Sequence, residues 1–389
     1  MQQCPVPLTL SAIAILSLAI WLYLAFARGM FWRLRPFDDD LAQHDPPPTW
    51  PSVVAIVPAR NEAATIAQSI GSLLRQNYPG EFSVIVVDDH SEDATAQLAG
   101  QAARELSAES RFTPLRAAPL PPGWTGKLWA LNQGVAHAQS ASPTYFWFTD
   151  ADILHAPDTL RRLVSRTEFH HLDLTSLMVL LQAKSLPERP LIPPFLFFFL
   201  KLYPPSWIAN PRHHTAGAAG GCILLRRDAL ERIGGLAAIR SEVIDDSALA
   251  RAVKSASGRL WMGLSRASIS LREYTTFAEI RDMIARTAFT QLGYSPLLLV
   301  GTLAGLLLTY IAPIALLFAH APEHRILGLW SWTLMSLLFL PTVRFYRLSP
   351  LWAITLPLAA LFYTYATILS ALRHYTGRGA QWKGRSQAH

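Results

Sequence analysis

The sequence is short of charge and of cysteine. Asp, Glu, Lys and Arg make up 16% of 389 residues, while hydrophobic residues make up 51%. A soluble globular domain carries about 25% charged residues, so this balance points to membrane segments. Only Cys4 and Cys222 occur, far apart, which excludes a disulfide framework or a cysteine-built zinc site. There is no dense basic stripe. The formal charge of +7 comes instead from residues flanking apolar runs: Arg28, Arg33 and Arg35 after one, and Arg373, Arg378, Lys383 and Arg385 after another. That placement sets membrane orientation and argues against a nucleic-acid partner. The chain also lacks internal repeats, low-complexity tracts beyond one proline-rich linker, and the G-x-x-x-x-G-K-[ST] spacing of a phosphate loop.

What is present is a set of long apolar runs around a more polar centre. LTLSAIAILSLAIWLYLAFA (8–27) has no charge and is long enough to span a bilayer. No basic residue precedes it in MQQCPVP, so it reads as an uncleaved anchor (1–28) and not as a signal peptide. The arginines that follow place the next domain on the cytoplasmic side. An acidic, proline-rich linker fills 29–52. Residues 53–276 read as a globular domain, 277–296 as an amphipathic, interfacial region, and 297–372 as two to three further spans, before a basic tail at 373–389. Arg344 and Arg347 between the later runs and the basic tail give conflicting orientations. The last run, interrupted by Pro357, is the candidate for a re-entrant stretch.

Inside 53–276, strand and helix patterns alternate. VVAIVP, FSVIVVDD and YFWFTDAD read as strands; 63–76, 95–106 and 157–169 have helical spacing. This alternation predicts an α/β fold with a mostly parallel sheet and helices on both faces. Ligands of such sheets collect beyond the carboxyl ends of the strands, and each strand here ends in polar chemistry. Asp150 and Asp152 follow YFWF with one alanine between them. Residues two apart on a strand point the same way, so the pair is expected to converge on a hard cation, Mg²⁺ or Mn²⁺. Asp88 and Asp89 end the second strand, where an acid accepts hydrogen bonds from a ribose or base. In GWTGKLWALNQG, Lys127 falls at a helix start suited to phosphate. Gly220 and Gly221 allow close backbone approach to a ligand. Asp245 and Asp246, with Glu242, open another helical pattern; one carboxylate serves the helix dipole and another can be a general base. ERPLIPPFLFFFLKLYPPSW (188–207) is broken by prolines and reads as an interfacial segment, 188–208, that would present a lipid.

Taken in order, VPARNE, VVDDHS, Gly126-Lys127, DAD, AGGCILLRRDAL and the Asp245-Asp246 pair resemble the family 2 glycosyltransferases of GT-A fold, over about residues 53–291. GWTGKLWALNQG and ARTAFTQLGYSP resemble the hopene-associated glycosyltransferases most, with ceramide-glucosyltransferase-like enzymes as neighbours. The resemblance implies that Pro58, Asn61, Glu62 and Asp88 line a nucleotide pocket with Asp89 nearby. It implies Asp150 and Asp152 at a metal and donor-sugar site and Asp246 as catalytic base. The family's processive members carry Q-x-x-R-W; here Met283-Ile284-Ala285-Arg286-Thr287 keeps only Arg286, which would steady a diphosphate. The expected activity is metal-dependent, inverting transfer from a nucleotide-sugar donor to a lipid acceptor at the inner (cytoplasmic) membrane. A polysaccharide synthase and a non-catalytic scaffold are the rival classes.

Overall fold

The computed structural model describes residues 8–39 and 46–377, and the backbone of 381–382 and 385–386. Cys4, the middle of the linker (40–45), Arg378 and Lys383 lie outside the described residues, as does the side chain of Arg385. The elements, in chain order, are α1 (Leu8–Phe26), β1 (Val53–Ala59), α2 (Ile66–Leu74), β2 (Phe82–Asp88), α3 (Thr95–Glu105), β3 (Phe112–Arg116), α4 (Gly126–Ala138), β4 (Tyr145–Phe148), β5 (Ile153–His155) and α5 (Thr159–Phe169). There follow β6 (Leu174–Leu180), α6 (Glu188–Leu202), α7 (Pro205–Ala209), β7 (Ile223–Arg226), α8 (Arg227–Arg232), α9 (Asp245–Ser255), β8 (Leu260–Ser270) and α10 (Phe277–Ala285). The last helices are α11 (Pro296–Leu306), α12 (Ala312–Leu316), α13 (Pro322–Phe345) and α14 (Leu356–Tyr375). Two compact units result: residues 35–182, 207–273 and 380–389 form one, and residues 1–34, 183–206 and 274–379 the other.

The first unit is built on an eight-stranded sheet of order β3-β2-β1-β4-β7-β6-β8-β5. Strands β3, β2, β1 and β4 run parallel; β7 runs against both β4 and β6, and β5 against β8. Every residue of β1 is buried, as expected of a strand covered on both faces. Alternation assigns those faces. Val53, Ala55, Val57 and Ala59 join Ile66, Ile70 and Leu73 of α2, Ala99 and Ala103 of α3 and Leu163 of α5 in one core cluster. Ile56 and Val87 face the other way, onto α4, where a Cβ on Gly134 would stand 2.4 Å from Ile56 Cγ2 and 3.2 Å from Val87 Cγ2. Glycine is required there because helix and sheet approach so closely.

The expected strands and helices are present, with YFWF as the fourth strand in sequence. β3 was not anticipated. It is an edge strand, half-exposed, with Pro114 at its centre, so it carries no clean alternating signal.

The second unit is helical. Among the described residues, five helices are long and apolar enough to cross a membrane: Thr9–Phe26, Glu188–Ala209, Pro296–Leu316, Pro322–Phe345 and Pro350–Tyr375. On α11, Leu297, Leu298 and Val300 are 80%, 55% and 64% exposed, a surface that suits hydrocarbon rather than water. Hydroxyls on these helices bond back to a carbonyl one turn earlier: Ser331 to Leu327 (2.9 Å), Thr364 to Ala360 (2.7 Å) and Thr367 to Tyr363 (2.8 Å). Two expectations about proline change here. Pro357 does not interrupt the last run; it occupies the first turn of α14, where its missing N–H has no helical partner to lose. Pro193 and Pro194 lie inside α6, which continues through them as one helix.

Candidate active site

Chain direction decides what gathers at one edge of the sheet. The parallel strands β1, β2 and β4 end there with Ala59, Asp88 and Phe148. β7 is antiparallel to β4, with Phe148 opposite Ile223, so the glycine turn that leads into β7 lies at the same edge. A small cleft there is lined by Pro58, Lys127, Thr149, Asp150, Gly220, Asp245 and Asp246, over an apolar floor that includes Leu131, Phe148 and Ile239.

Lys127 is the centre of the charge. It is the second residue of α4, and its Nζ donates to Asp150 Oδ1 at 2.9 Å and lies 3.2 Å from Asp245 Oδ2. Burial alone would lower its pKa, but Asp150 and Asp245 outweigh burial and hold it above the ordinary lysine value. Asp246 stands beside this pair. Its Oδ2 accepts the Gly220 amide at 2.9 Å and its Oδ1 the Ser247 amide at 2.6 Å. Burial and then the charge of Asp245 push its pKa up to about 6, while Lys127 and the two amides pull the other way. A carboxylate poised there takes protons well near neutral pH. Gly220 has no side chain for a clear reason: a Cβ would lie 3.2 Å from Lys127 Nζ and 3.4 Å from Asp246 Oδ2.

A buried imidazole ties the strand end to the glycine turn. His155 is 3% exposed and bonds Thr149 Oγ1 and Ser268 Oγ, each at 2.9 Å. Thr149 donates to the Gly221 carbonyl at 2.9 Å, so it accepts from His155 Nε2–H, and Ser268 donates to Nδ1. Burial lowers the His155 pKa to about 3, which keeps the ring neutral. Thr149 precedes Asp150, and Gly221 follows Gly220. One histidine therefore positions both walls of the cleft.

The loops after β1 and β2 are laced together. Arg60 donates to the Asp89 carbonyl at 2.6 Å and stands 3.9 Å from its buried carboxylate. The Asn61 amide donates to Ser91 Oγ (3.0 Å), the Glu92 amide to Asn61 Oδ1 (2.9 Å), the Glu62 amide to Thr95 Oγ1 (2.7 Å) and the Ser91 amide to Asp88 Oδ1 (3.3 Å). Asn61 and His90 hold φ of 51° and 54°, left-handed backbone that ligand clamps often contain.

The predicted residues therefore divide. Pro58, Lys127, Asp150, Gly220, Asp245 and Asp246 share the cleft. Asn61, Glu62, Asp88 and Asp89 lie in the laced loops at the same sheet edge. Gly221 packs against Val179 and Ile153. Asp152 sits in the turn after β4, where its Oδ2 faces Ser270 Oγ at 3.5 Å. The strand closes at Phe148, so the two-residue alternation does not reach the acidic pair, and each aspartate is aimed separately. Arg286 is exposed at the end of α10 in the helical unit. Sequence reasoning assigned no role to Thr149, His155 or Arg60. A strand-end threonine and a lone histidine give no signal until the fold places Gly221 and Ser268 beside them.

Residues 54–234 match the family described as "Glycosyl transferase family 2". The chain is 34% identical over 115 residues to the beta-monoglucosyldiacylglycerol synthase of Trichormus variabilis, covering 29% of this chain and 23% of that protein. It is 31% identical over 161 residues to an N-acetylglucosaminyltransferase of Mesorhizobium japonicum, covering 41% of this chain and 36% of that one. The chain thus spans well under two thirds of the length of these relatives. Its fold is similar to that of the mannosyltransferase PcManGT from Pyrobaculum calidifontis, solved with GDP-Man and Mn²⁺, with a TM-score of 0.57 and 21% identity over 90% of this chain and 99% of that one. Residues 54–234 are thus similar to a glycosyltransferase family 2 domain, and the fold is GT-A-like α/β.

Proposed function

We propose that the protein is a membrane-bound, inverting glycosyltransferase that moves a sugar from a nucleotide-sugar donor to a hydroxyl of a membrane lipid. The observation that carries this reading is the carboxylate cluster around Lys127, with Asp246 fixed by the Gly220 amide at the carboxyl edge of the sheet. The diacylglycerol-linked activity named for one relative supports a lipid acceptor, as do the five apolar helices. A hopanoid-type acceptor is the specific candidate, on the motif resemblance of GWTGKLWALNQG and ARTAFTQLGYSP. The arginines after α1 favour the inner membrane with the sheet unit in the cytoplasm.

In this reading Asp246 takes the proton of the acceptor hydroxyl, which attacks the anomeric carbon from the face opposite the leaving diphosphate. The raised pKa suits that task, and the Gly220 amide aims the carboxylate. Pro58, Asn61, Glu62 and Asp88 shape the nucleotide side; Asp89, paired with Arg60, braces the loop. Arg286 is proposed to steady the diphosphate.

The residues fit a divalent cation. No three His, Cys, Asp or Glu groups among the described residues hold an ion by themselves. Yet the cleft already takes positive charge between Asp150 and Asp245, and carboxylate oxygens are the donors that Mg²⁺ or Mn²⁺ prefer. Asp150 would hold the ion from the cleft, with Asp152 turned in from its place beside Ser270 and the remaining ligands drawn from diphosphate and water. When bound it would neutralise charge growing on the leaving group.

Asp246→Asn tests the assignment. Transfer should fall about 10²–10⁴-fold while nucleotide-sugar binding persists. Unchanged turnover would remove Asp246 from the role.

A further inference from the structure

The helical unit holds a lysine that no carboxylate answers among the described residues. Lys201, in the last turn of α6, donates from Nζ to the Tyr310 hydroxyl at 2.9 Å. The ring centroids of Phe198 and Tyr310 lie 5.2 Å and 5.0 Å from the same nitrogen. Tyr310 in turn meets the buried Trp21 edge-on at 5.5 Å, and Trp21 Nε1 donates to the Thr309 carbonyl at 2.8 Å. The surroundings are thus two rings, a hydroxyl and apolar helix. An ammonium has three donors, and among the described residues this one uses a single donor, on Tyr310.

Two other half-buried lysines are treated differently. Lys127 has two aspartates. Lys254 donates to three carbonyls, those of Trp207, Ile208 and Thr215. Of the acids of the helical unit, Glu188 accepts the amides of Lys184, Ser185 and Tyr274, Glu279 caps α10, Asp282 pairs with Arg281 and Arg373, and Glu323 lies in the first turn of α13. A second cation lies close by. Arg28 follows α1 and donates from Nε to the Lys201 carbonyl at 3.0 Å.

Such a site is costly in or near hydrocarbon unless an anion completes it. The Lys201 side chain is only partly covered, and Leu22, Phe26 and Leu202, neighbours in sequence to these cations, are 46%, 68% and 45% exposed. We propose that Lys201, together with Arg28, binds the phosphate of an anionic phospholipid whose acyl chains run along this apolar surface. A lipid suits the site better than free phosphate because both cations border helices of membrane-spanning length and the lining is aromatic. The site is independent of the glycosyl-transfer reading.

The test uses the full chain purified in detergent, titrated with phosphatidylglycerol and followed by native mass spectrometry. Wild type is expected to retain the lipid at concentrations about tenfold below those needed by Lys201→Met, with Lys201→Arg close to wild type and with diacylglycerol not retained. Millimolar inorganic phosphate should not displace the lipid. Equal retention by Lys201→Met, equal retention of diacylglycerol, or displacement by inorganic phosphate would each overturn the proposal. Should Lys201→Met fail to fold, Arg28→Gln decides by the same readout: weaker retention supports the site, and unaltered retention overturns it.

Discussion

The two units of this chain treat buried charge in opposite ways. In the sheet unit Lys127 lies among aspartates, and Arg60 and Arg226 each meet a carboxylate. In the helical unit Lys201 meets rings and a hydroxyl, and several hydroxyls turn back on their own helix. The difference teaches where chemistry is built. Burial and the like charge of Asp245 give Asp246 a raised pKa, and Lys127 holds the cluster together. Apolar helices supply surface, and a lone cation among them reads as a binding feature and not as a reactive one.

The comparison can be broken at several points. The largest effect should come from Lys127→Met. It leaves Asp150, Asp245 and Asp246 without their cation. Removing one partner of a fully buried pair costs about 3–5 kcal/mol, and with Asp150 36% and Asp245 21% exposed the cost falls toward the lower end of that range. The melting temperature should drop and transfer should be lost. An unchanged melting temperature would show that the cluster is not held by Lys127. Next is Gly134→Ala, whose methyl has no room against Ile56 and Val87. Overpacking of this kind costs about 1–3 kcal/mol, read by denaturant unfolding of the sheet unit. Gly220→Ala presses on Lys127 and Asp246 at 3.2 and 3.4 Å, tight enough to shift both but not to unfold the turn. Its kcat should fall about tenfold, which is about 1.4 kcal/mol of transition-state positioning, with little change in stability. The smallest effect belongs to the helical unit. Tyr363 donates to the Leu191 carbonyl at 2.9 Å, and Tyr363→Phe should cost about 0.6 kcal/mol, typical for a hydrogen bond between membrane helices. A loss as large as that of Lys127→Met would erase the contrast between the units.

Much of the fold was legible because burial writes itself into the sequence. VVAIVP and FSVIVV are continuous apolar runs that only a doubly covered strand needs, and the uncharged run at 8–27 forms α1. β3 was hidden because an exposed edge with a central proline needs no pattern. The continuity of α6 was hidden because tertiary packing carries Pro193 and Pro194 within one helix, overriding their local preference. The site was legible as a list of residue types at strand ends, and its wiring was not. Lys127 reads as a phosphate-binding lysine at a helix start, and Asp245 as a helix-dipole acid. Their 3.2 Å approach exists only once the antiparallel β7 brings the glycine turn back to the end of β4.

The central claim is that Asp246 acts as an ionised base within this cluster, and the pH dependence of kcat/KM tests it most directly. Burial and Asp245 raise the Asp246 pKa to about 6, and the base works as the carboxylate. Activity should therefore be full above that value and fall about tenfold per pH unit below it. Asp245→Asn removes one cause of the rise, so its acidic limb should move to lower pH. A profile that is flat from about pH 5 to 8, or an acidic limb unmoved in Asp245→Asn, would contradict the account.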